Sequence, residues 1–230
     1  MTASLAAGIL LIALPIAFNV AFAALAKVFD YPDILRRPTG EVLERFRAGG
    51  TGLVLLWWGF TMTAVLFAAL AVLVASALGD ADPVVLALGA TVGVLAAAVQ
   101  VLGLVRWPFL IPYLARAHAD PAATDARKDA IDVVFQSFNR YLGVAVGEHL
   151  GYLLTGTWSI LVGVAMLQST ELHLLVGSAG ILIGLVLAIC SLEFVGPFEP
   201  DGWRLAGVLT PFTYIAWSLW LVVAGVAFLL

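Results

Sequence analysis

Charged residues are scarce in this chain: they make up 11% of its 230 residues, whereas 63% are hydrophobic. Soluble domains carry about 25% charged residues, so this composition excludes a chain that keeps most of its surface in water. The mean hydropathy of +1.07 leads to the same conclusion. We therefore expect a lipid bilayer to surround most of the protein.

Cysteine and the motifs of common cofactor sites are also lacking. Cys190 is the only cysteine, which excludes an intrachain disulfide and a zinc site built from cysteines. The sequence has no P-loop, no dinucleotide-binding glycine pattern, no GxSxG turn and no HExxH pair. No cofactor and no bound metal are predicted, and no nucleic-acid partner is expected.

Long hydrophobic runs, in contrast, are abundant. A helix needs about 20 apolar residues to cross a hydrocarbon core of about 30 Å, and runs of that length fill most of the chain. The sequence therefore predicts one all-α domain over 1–230, a polytopic transmembrane helical bundle of about six helices. The predicted spans are 5–27, 52–79, 84–105, 141–167, 172–195 and 205–230.

The basic residues are distributed very unevenly. All 11 Lys and Arg residues lie in or directly beside three loops, 28–51, 106–140 and 196–204. Because loops rich in Lys and Arg stay in the cytoplasm, we expect these three loops to be cytoplasmic. Both termini would then be extracytoplasmic.

Two of these loops are predicted to contain helices of their own. Residues 40–48 form an amphipathic segment, capped by Thr39, that would lie at the inner membrane interface or bind a soluble partner. Residues 121–140 continue the fourth span into the cytoplasm, with Asp120 and Pro121 at the helix start. The polar face of this extension is expected to be solvated; it consists of Lys128, Asp129, Asp132, Gln136 and Arg140.

Small residues recur every fourth position in three spans. In lipid, such ridges allow two helix backbones to approach closely. They indicate packing within the bundle or an interface with a second copy or another membrane protein. The ridges are Gly143, Gly147 and Gly151, then Gly89 and Gly93, then Gly180 and Gly184.

Polar residues inside the spans are the main functional clue. An ionisable group there costs about 2.5–3.5 kcal/mol on insertion scales, so it is usually paired, turned inward or functional. At about 1.5 Å per residue, Asn19, Gln100 and Glu148 each lie roughly 9–12 Å from the basic loops. They predict a water-accessible pocket, or alternatively a structural hydrogen-bond and ion-pair network. The pocket residues would be Asn19, Gln100, Arg106, Glu148, His149, Tyr152, Glu193 and Arg204.

On span four, a helical projection puts Tyr141, Glu148, Tyr152 and Thr155 on one inward stripe. The preferred hypothesis is a protein that binds or conducts a small or lipid-soluble molecule through this pocket. One alternative is an intramembrane enzyme in which Glu148 acts as acid or base, assisted by His149 or Glu193. The other is an assembly or accessory subunit of a membrane complex.

Three stretches resemble the DUF4386 family of bacterial multi-helix membrane proteins: YPDILRRPTGEVLERF, VFQSFNRYLGVAVGEHLGYLL and YIAWSLWLVVAGVAFLL. The resemblance implies a six-helix protein of the bacterial inner membrane. It implies no activity, because none is established for that family.

Overall fold

The computed structural model describes residues 3–169, 174–199 and 201–230, and within them the protein is helical without strands. Six of the helical stretches are long and apolar enough to cross a membrane, which confirms the six-helix bundle. They are Ala3–Phe29, Gly50–Ala77, Pro83–His118, Asp125–Gln168, Leu174–Phe194 and Arg204–Leu229. The predicted start of the fifth span at residue 172 lies outside the described residues.

Several of these stretches are divided, so nine α-helices are distinguished within the described residues. In chain order they are α1 (Ala3–Phe29), α2 (Thr39–Ala48), α3 (Gly50–Ala77), α4 (Pro83–Leu104), α5 (Arg106–His118), α6 (Asp125–Phe138), α7 (Gly151–Gln168), α8 (Leu174–Cys190) and α9 (Arg204–Leu229). Between α6 and α7, residues Asn139–Leu150 are wound as a π-helix, which we call the π segment. Short 3₁₀ turns complete the connections at Asp33–Arg36, Ser191–Phe194 and Gly196–Phe198.

The membrane-length helices form a closed ring in chain order. Contacts join α1 to α3, α3 to α4, α4 to α7, α7 to α8, and α8 to α9, and α1 packs on α9 to close the ring. Because each helix reverses direction relative to the one before it, all three basic loops lie at one end of the ring. We call this the basic end.

Aromatic side chains fill the middle of the ring, away from the basic end. Trp158 of α7 is fully buried and meets Phe67, Trp217 and Trp220 edge-on. The Trp217 indole also donates to Ser159 Oγ at 2.9 Å. Buried aromatic pairs of this kind stabilise beyond their area of contact, so they fill the middle of the bundle. A small apolar gap lined by Val74, Leu86 and Leu161 remains beyond them.

Glycine allows the helices of the ring to approach closely. A Cβ on Gly156 would lie 2.5 Å from the Gly184 carbonyl oxygen, and one on Gly103 would lie 2.8 Å from Gly147 Cα. Gly143 faces Arg106 at a similar distance. These glycines are therefore used for packing within the chain, one of the two roles that the sequence left open.

A second hydrophobic cluster covers part of the basic end. The apolar face of α2, formed by Val42, Leu43 and Phe46, is buried. It packs with Phe29 and with the stacked indoles of Trp57 and Trp107. This face is thus covered by protein, because α5 supplies an apolar surface for it, while the position of the segment at the inner membrane interface stays a prediction. A loop, not a helix, is what the sequence predicted over the residues of α5.

The first residues of α2 and α6, at the basic end, also differ from the N-caps that the sequence predicted. Thr39 is the first residue of α2, and its hydroxyl donates to Asp132 and accepts from Gln136 at 3.0 Å. Asp132 and Gln136 thus fix α6 to α2 rather than forming a purely solvated face, and Arg140 pairs with Glu199. Thr124, not Asp120, caps α6, since Asp120 accepts from the Ala122 N–H within the preceding turn.

Candidate functional site

Glu148 occupies the π segment, on the wall of the ring near the basic end. Among the described residues its carboxylate forms no hydrogen bond and no ion pair, although the side chain is only partly exposed. The fully buried polar atoms without partners in the described part of the chain are the indole nitrogens of Trp57 and Trp158. The Glu148 oxygens are not among these, so the described residues do not enclose them completely.

Charges of both signs lie within electrostatic range of Glu148. They are the Arg106 guanidinium and the Glu193 carboxylate. Arg106 is nevertheless not close enough to form an ion pair, because its donors are used elsewhere. One nitrogen donates to the Gly103 carbonyl at 2.5 Å and another to Asn139 Oδ1 at 3.0 Å.

Three tyrosines surround the same region. The Tyr152 and Tyr214 rings meet at 5.3 Å between centroids, and both hydroxyls lie within electrostatic range of Glu148. Tyr31 follows the end of α1, and Glu148 and Arg106 both act on its phenol. Burial and, to a smaller extent, the Glu148 charge raise the pKa of Tyr31, the Arg106 charge lowers it, and the resulting pKa is about 12. None of the three hydroxyls has a hydrogen-bond partner within the described residues.

Aromatic rings connect these tyrosines around the inside of the bundle. Tyr214 stacks on Phe18 at 6.3 Å, and Phe18 on Phe22 at 6.4 Å. Phe22 meets Tyr31 edge-on at 5.7 Å, and Tyr31 meets Trp57 at 5.0 Å. A continuous aromatic strip therefore runs from Tyr214 in α9, through α1, to α3.

An interior cleft lies against this strip. Its cavity volume is about 10 Å³, room for about one water molecule. Its wall includes Phe18, Thr63, Gln100 and Tyr214 and ends at Phe67 and Trp217, so Tyr214 joins the cleft to the group around Glu148. The Gln100 amide donates to Thr155 Oγ1 at 3.0 Å, which fixes it across the α4–α7 contact. We call the combined region the Glu148 pocket and define it by Tyr31, Gln100, Arg106, Glu148, Tyr152 and Tyr214.

His149 is adjacent to Glu148 but makes a different contact. Its Nδ1 lies 2.8 Å from the Ser191 carbonyl oxygen, where α8 passes into a 3₁₀ turn. A carbonyl oxygen only accepts, so Nδ1 carries the hydrogen. His149 thus joins the π segment to the end of α8.

The remaining predicted pocket residues are not part of this group. The Asn19 amide donates to Pro15 O and, at 3.0 Å, to Ser218 Oγ, so it ties α1 to α9 from an exposed position. Arg204 is exposed and forms no ion pair with any described residue. Glu193 pairs with neither Arg106 nor Arg204; a Cβ on Gly207 would lie 2.8 Å from its Oε1.

The winding of the π segment explains one error in the stripe of inward-facing residues that was predicted for span four. Tyr141 was expected beside Glu148 but is 68% exposed. The projection assumed α-helical spacing, whereas the i→i+5 bonding of a π-helix places more residues in each turn. Positions seven residues apart therefore do not share a face here.

Sequence reasoning did not identify Tyr31 and Tyr214 as pocket residues. Tyr214 is ten positions from Arg204 along α9, about 15 Å at helical rise, which is slightly deeper than the layer of polar residues at roughly 9–12 Å. For Tyr31 no sequence signal was available, because it lies in a loop whose path depends on packing against Trp57. Among the described residues, no three His, Cys, Asp or Glu side chains are grouped so that they could hold a metal ion.

Comparisons with known proteins agree with the resemblance seen in the sequence. The family model described as "Domain of unknown function (DUF4386)" matches residues 6–225, nearly the whole chain. No curated protein and no solved structure matches the chain. A match of this extent, together with six membrane-length helices in one ring, shows that this multi-pass membrane protein belongs to the DUF4386 family.

Proposed function

We propose that this protein binds a small or lipid-soluble molecule in the Glu148 pocket and exchanges it with the cytoplasm. The proposal depends on one observation: a carboxylate and three phenol groups lie together inside the ring without hydrogen-bond partners among the described residues. Within a membrane, an ionisable group is costly unless it is paired or serves a function. A structural network, the alternative considered from the sequence, would be expected to use these groups in bonds.

The orientation is part of the proposal. All 11 Lys and Arg residues lie at the basic end, and the positive-inside bias places that end in the cytoplasm. Family membership favours the inner membrane of a bacterium as the location. Glu148, Arg106 and Tyr31 lie nearer the basic end, and the cleft beyond them ends against Phe67 and Trp217. Exchange is therefore expected on the cytoplasmic side.

Access to the pocket can be tested with two matched threonines of α3. Thr63 borders the cleft and Thr61 does not, although both are buried and both donate to a backbone carbonyl within their own helix. Each is changed to cysteine in a Cys190→Ala background and treated with methyl methanethiosulfonate in nanodiscs. We expect Thr63→Cys to react at least about tenfold faster, because a closed position reacts only through local opening.

Equal, slow reaction at both positions would contradict the proposal, since it would mean that the cleft admits no small molecule. Unfolding is controlled by the Thr61→Cys variant itself, because any loss of structure would expose both thiols alike.

A further inference from the structure

We propose that the exposed face of α5, formed by Phe109, Tyr113 and Arg116, lies in the lipid headgroup layer at the basic end, where Arg116 binds the phosphate of an anionic lipid. This inference is independent of the Glu148 pocket. It depends on which faces of α5 are covered, on how far the helix extends and on the charge near its end.

Apolar side chains lie on two opposite faces of α5. Trp107, Ile111 and Leu114 are buried against α2 and α3. Phe109 and Tyr113 lie on the other side of the helix and are 69% and 60% exposed. A helix on the surface of a soluble protein has a polar face opposite its buried one. The exposed rings of α5 therefore indicate surroundings that are not purely aqueous.

The exposed face of α5 continues the exposed face of α4. Residues seven apart share a face of an α-helix, and Leu88, Leu95, Leu102 and Phe109 are spaced in this way. All four are between 49% and 69% exposed. The three leucines belong to a membrane-length helix and therefore face lipid. The lipid-facing surface thus extends from α4 to Phe109.

The length of this helical stretch places Phe109 among the headgroups. Pro83–His118 has 36 residues, about 54 Å at helical rise, whereas a bilayer with its headgroups is about 40–45 Å thick. The stretch begins beside the exposed carboxylate of Asp82, which belongs outside the hydrocarbon core. Phe109 lies about 39 Å and Tyr113 about 45 Å along the helix from Pro83, which is the depth of the opposite headgroup layer.

Arg116 supplies the charge for a phosphate. It is exposed on the same face as Phe109 and Tyr113 and forms no ion pair with any described residue. The carboxylate nearest to it in the sequence, Asp120, pairs with Arg127 instead. The Cβ atoms of a helix tilt towards its N-terminus, and α5 runs away from the bilayer, so the Arg116 side chain leans back towards the headgroups. Arginine forms bidentate hydrogen bonds with phosphate, and basic residues beside a membrane attract anionic lipids.

Spin labels on single cysteines in a Cys190→Ala background test the depth of this face in nanodiscs. Phe109→Cys is compared with Leu95→Cys, on the same face within α4, and with Lys128→Cys, at an exposed position of α6. Power saturation measures how often each label collides with oxygen, which concentrates in hydrocarbon, and with a water-soluble nickel chelate. We expect oxygen collisions to dominate at Leu95→Cys and nickel collisions at Lys128→Cys, with a ratio between these two values at Phe109→Cys.

Two results would overturn the inference. A collision ratio at Phe109→Cys equal to that at Lys128→Cys would show that this face lies in water. Low collision rates with both reagents would show that a second copy or another protein covers it.

The phosphate contact is tested by lipid binding to the full chain. Native mass spectrometry compares phosphatidylglycerol and phosphatidylcholine binding to the wild type, Arg116→Gln and Lys128→Gln. Each variant removes one exposed basic charge that has no ion pair among the described residues, so Lys128→Gln is the matched control. We expect Arg116→Gln alone to weaken phosphatidylglycerol binding, about three- to fivefold, without a change for phosphatidylcholine. Equal phosphatidylglycerol binding by Arg116→Gln and the wild type would overturn the phosphate contact.

Discussion

At the scale of single residues, Glu148 and Arg106 show how differently two charges can be accommodated in one helical ring. Arg106 is buried, and its donors are taken up by the Gly103 carbonyl and Asn139. Glu148 has no such partners among the described residues. Arg106 therefore contributes to the stability of the fold, whereas the Glu148 carboxylate lowers it.

The first prediction concerns the stability of a variant without the Glu148 carboxylate. Glu148→Gln keeps the side-chain shape and removes the charge, so we expect the ligand-free protein to become more stable by about 0.5–2 kcal/mol. Thermal unfolding in detergent measures the change, with Glu44→Gln, on the exposed face of α2, expected to have little effect. A clear loss of stability in Glu148→Gln alone would support the structural-network reading instead.

A second residue-scale prediction concerns Tyr31. Burial raises its folded-state pKa to about 12, compared with 10.0 for the free phenol. Its neutral form is therefore favoured by folding, a contribution that is complete below about pH 10 and is lost as the pH rises towards about 12. Tyr31→Phe cannot ionise, so it should keep on the order of 2 kcal/mol that the wild type loses in this window.

The measurement is the free energy of unfolding in detergent at several values between about pH 9 and pH 12. The other tyrosines are common to both proteins and cancel in the difference. Parallel pH profiles for the wild type and Tyr31→Phe would show that Tyr31 is ordinarily solvated.

At the scale of helices, contact between α7 and α8 depends on two glycines facing each other. A Cβ on Gly156 would meet backbone atoms of Gly184 and Ala188 at 2.5 and 2.8 Å, so α8 would have to move away. We expect Gly156→Ala to destabilise the protein by about 1–3 kcal/mol. Gly59→Ala on α3 meets nothing within 4 Å and should stabilise by about 0.5–1 kcal/mol through helix propensity.

Thermal unfolding of the two alanine variants tests this contrast directly. Equal effects of Gly156→Ala and Gly59→Ala would mean that the close approach of α7 and α8 does not limit stability.

The six membrane-length helices could be predicted from the sequence, because the bilayer sets their length and hydropathy. Six membrane-length runs follow from the scarcity of charge, since a span needs only length and hydropathy. The π segment was not predictable, because the pattern of its sequence is that of an ordinary span; in the structure Gly143 meets Arg106 of α5 and Gly147 meets Gly103 of α4. The burial of α2 was not predictable either. Val42 and Phe46 have the pattern of a helix that lies on a membrane surface, and the sequence did not show that α5 covers them.

At the scale of the whole molecule, the two halves of the ring differ in how they are filled. Phe67, Trp158, Trp217 and Trp220 fill the middle of the ring, whereas Glu148, Arg106 and Tyr31 lie between this aromatic layer and the basic end. A ring whose polar groups lie on one side of an aromatic layer can exchange a molecule with one side of the membrane without forming a through channel. This asymmetry is the physical basis of the proposed binding function.

The most direct test of this account is the side from which position 148 can be reached. Glu148→Cys in a Cys190→Ala background is treated with a small, charged, membrane-impermeant thiol reagent in inside-out and right-side-out vesicles. The account predicts modification in inside-out vesicles only, because the proposed pocket would admit water from the basic end, which the positive-inside bias assigns to the cytoplasm. Modification from the opposite face, or reaction with lipid-soluble reagents alone, would contradict it.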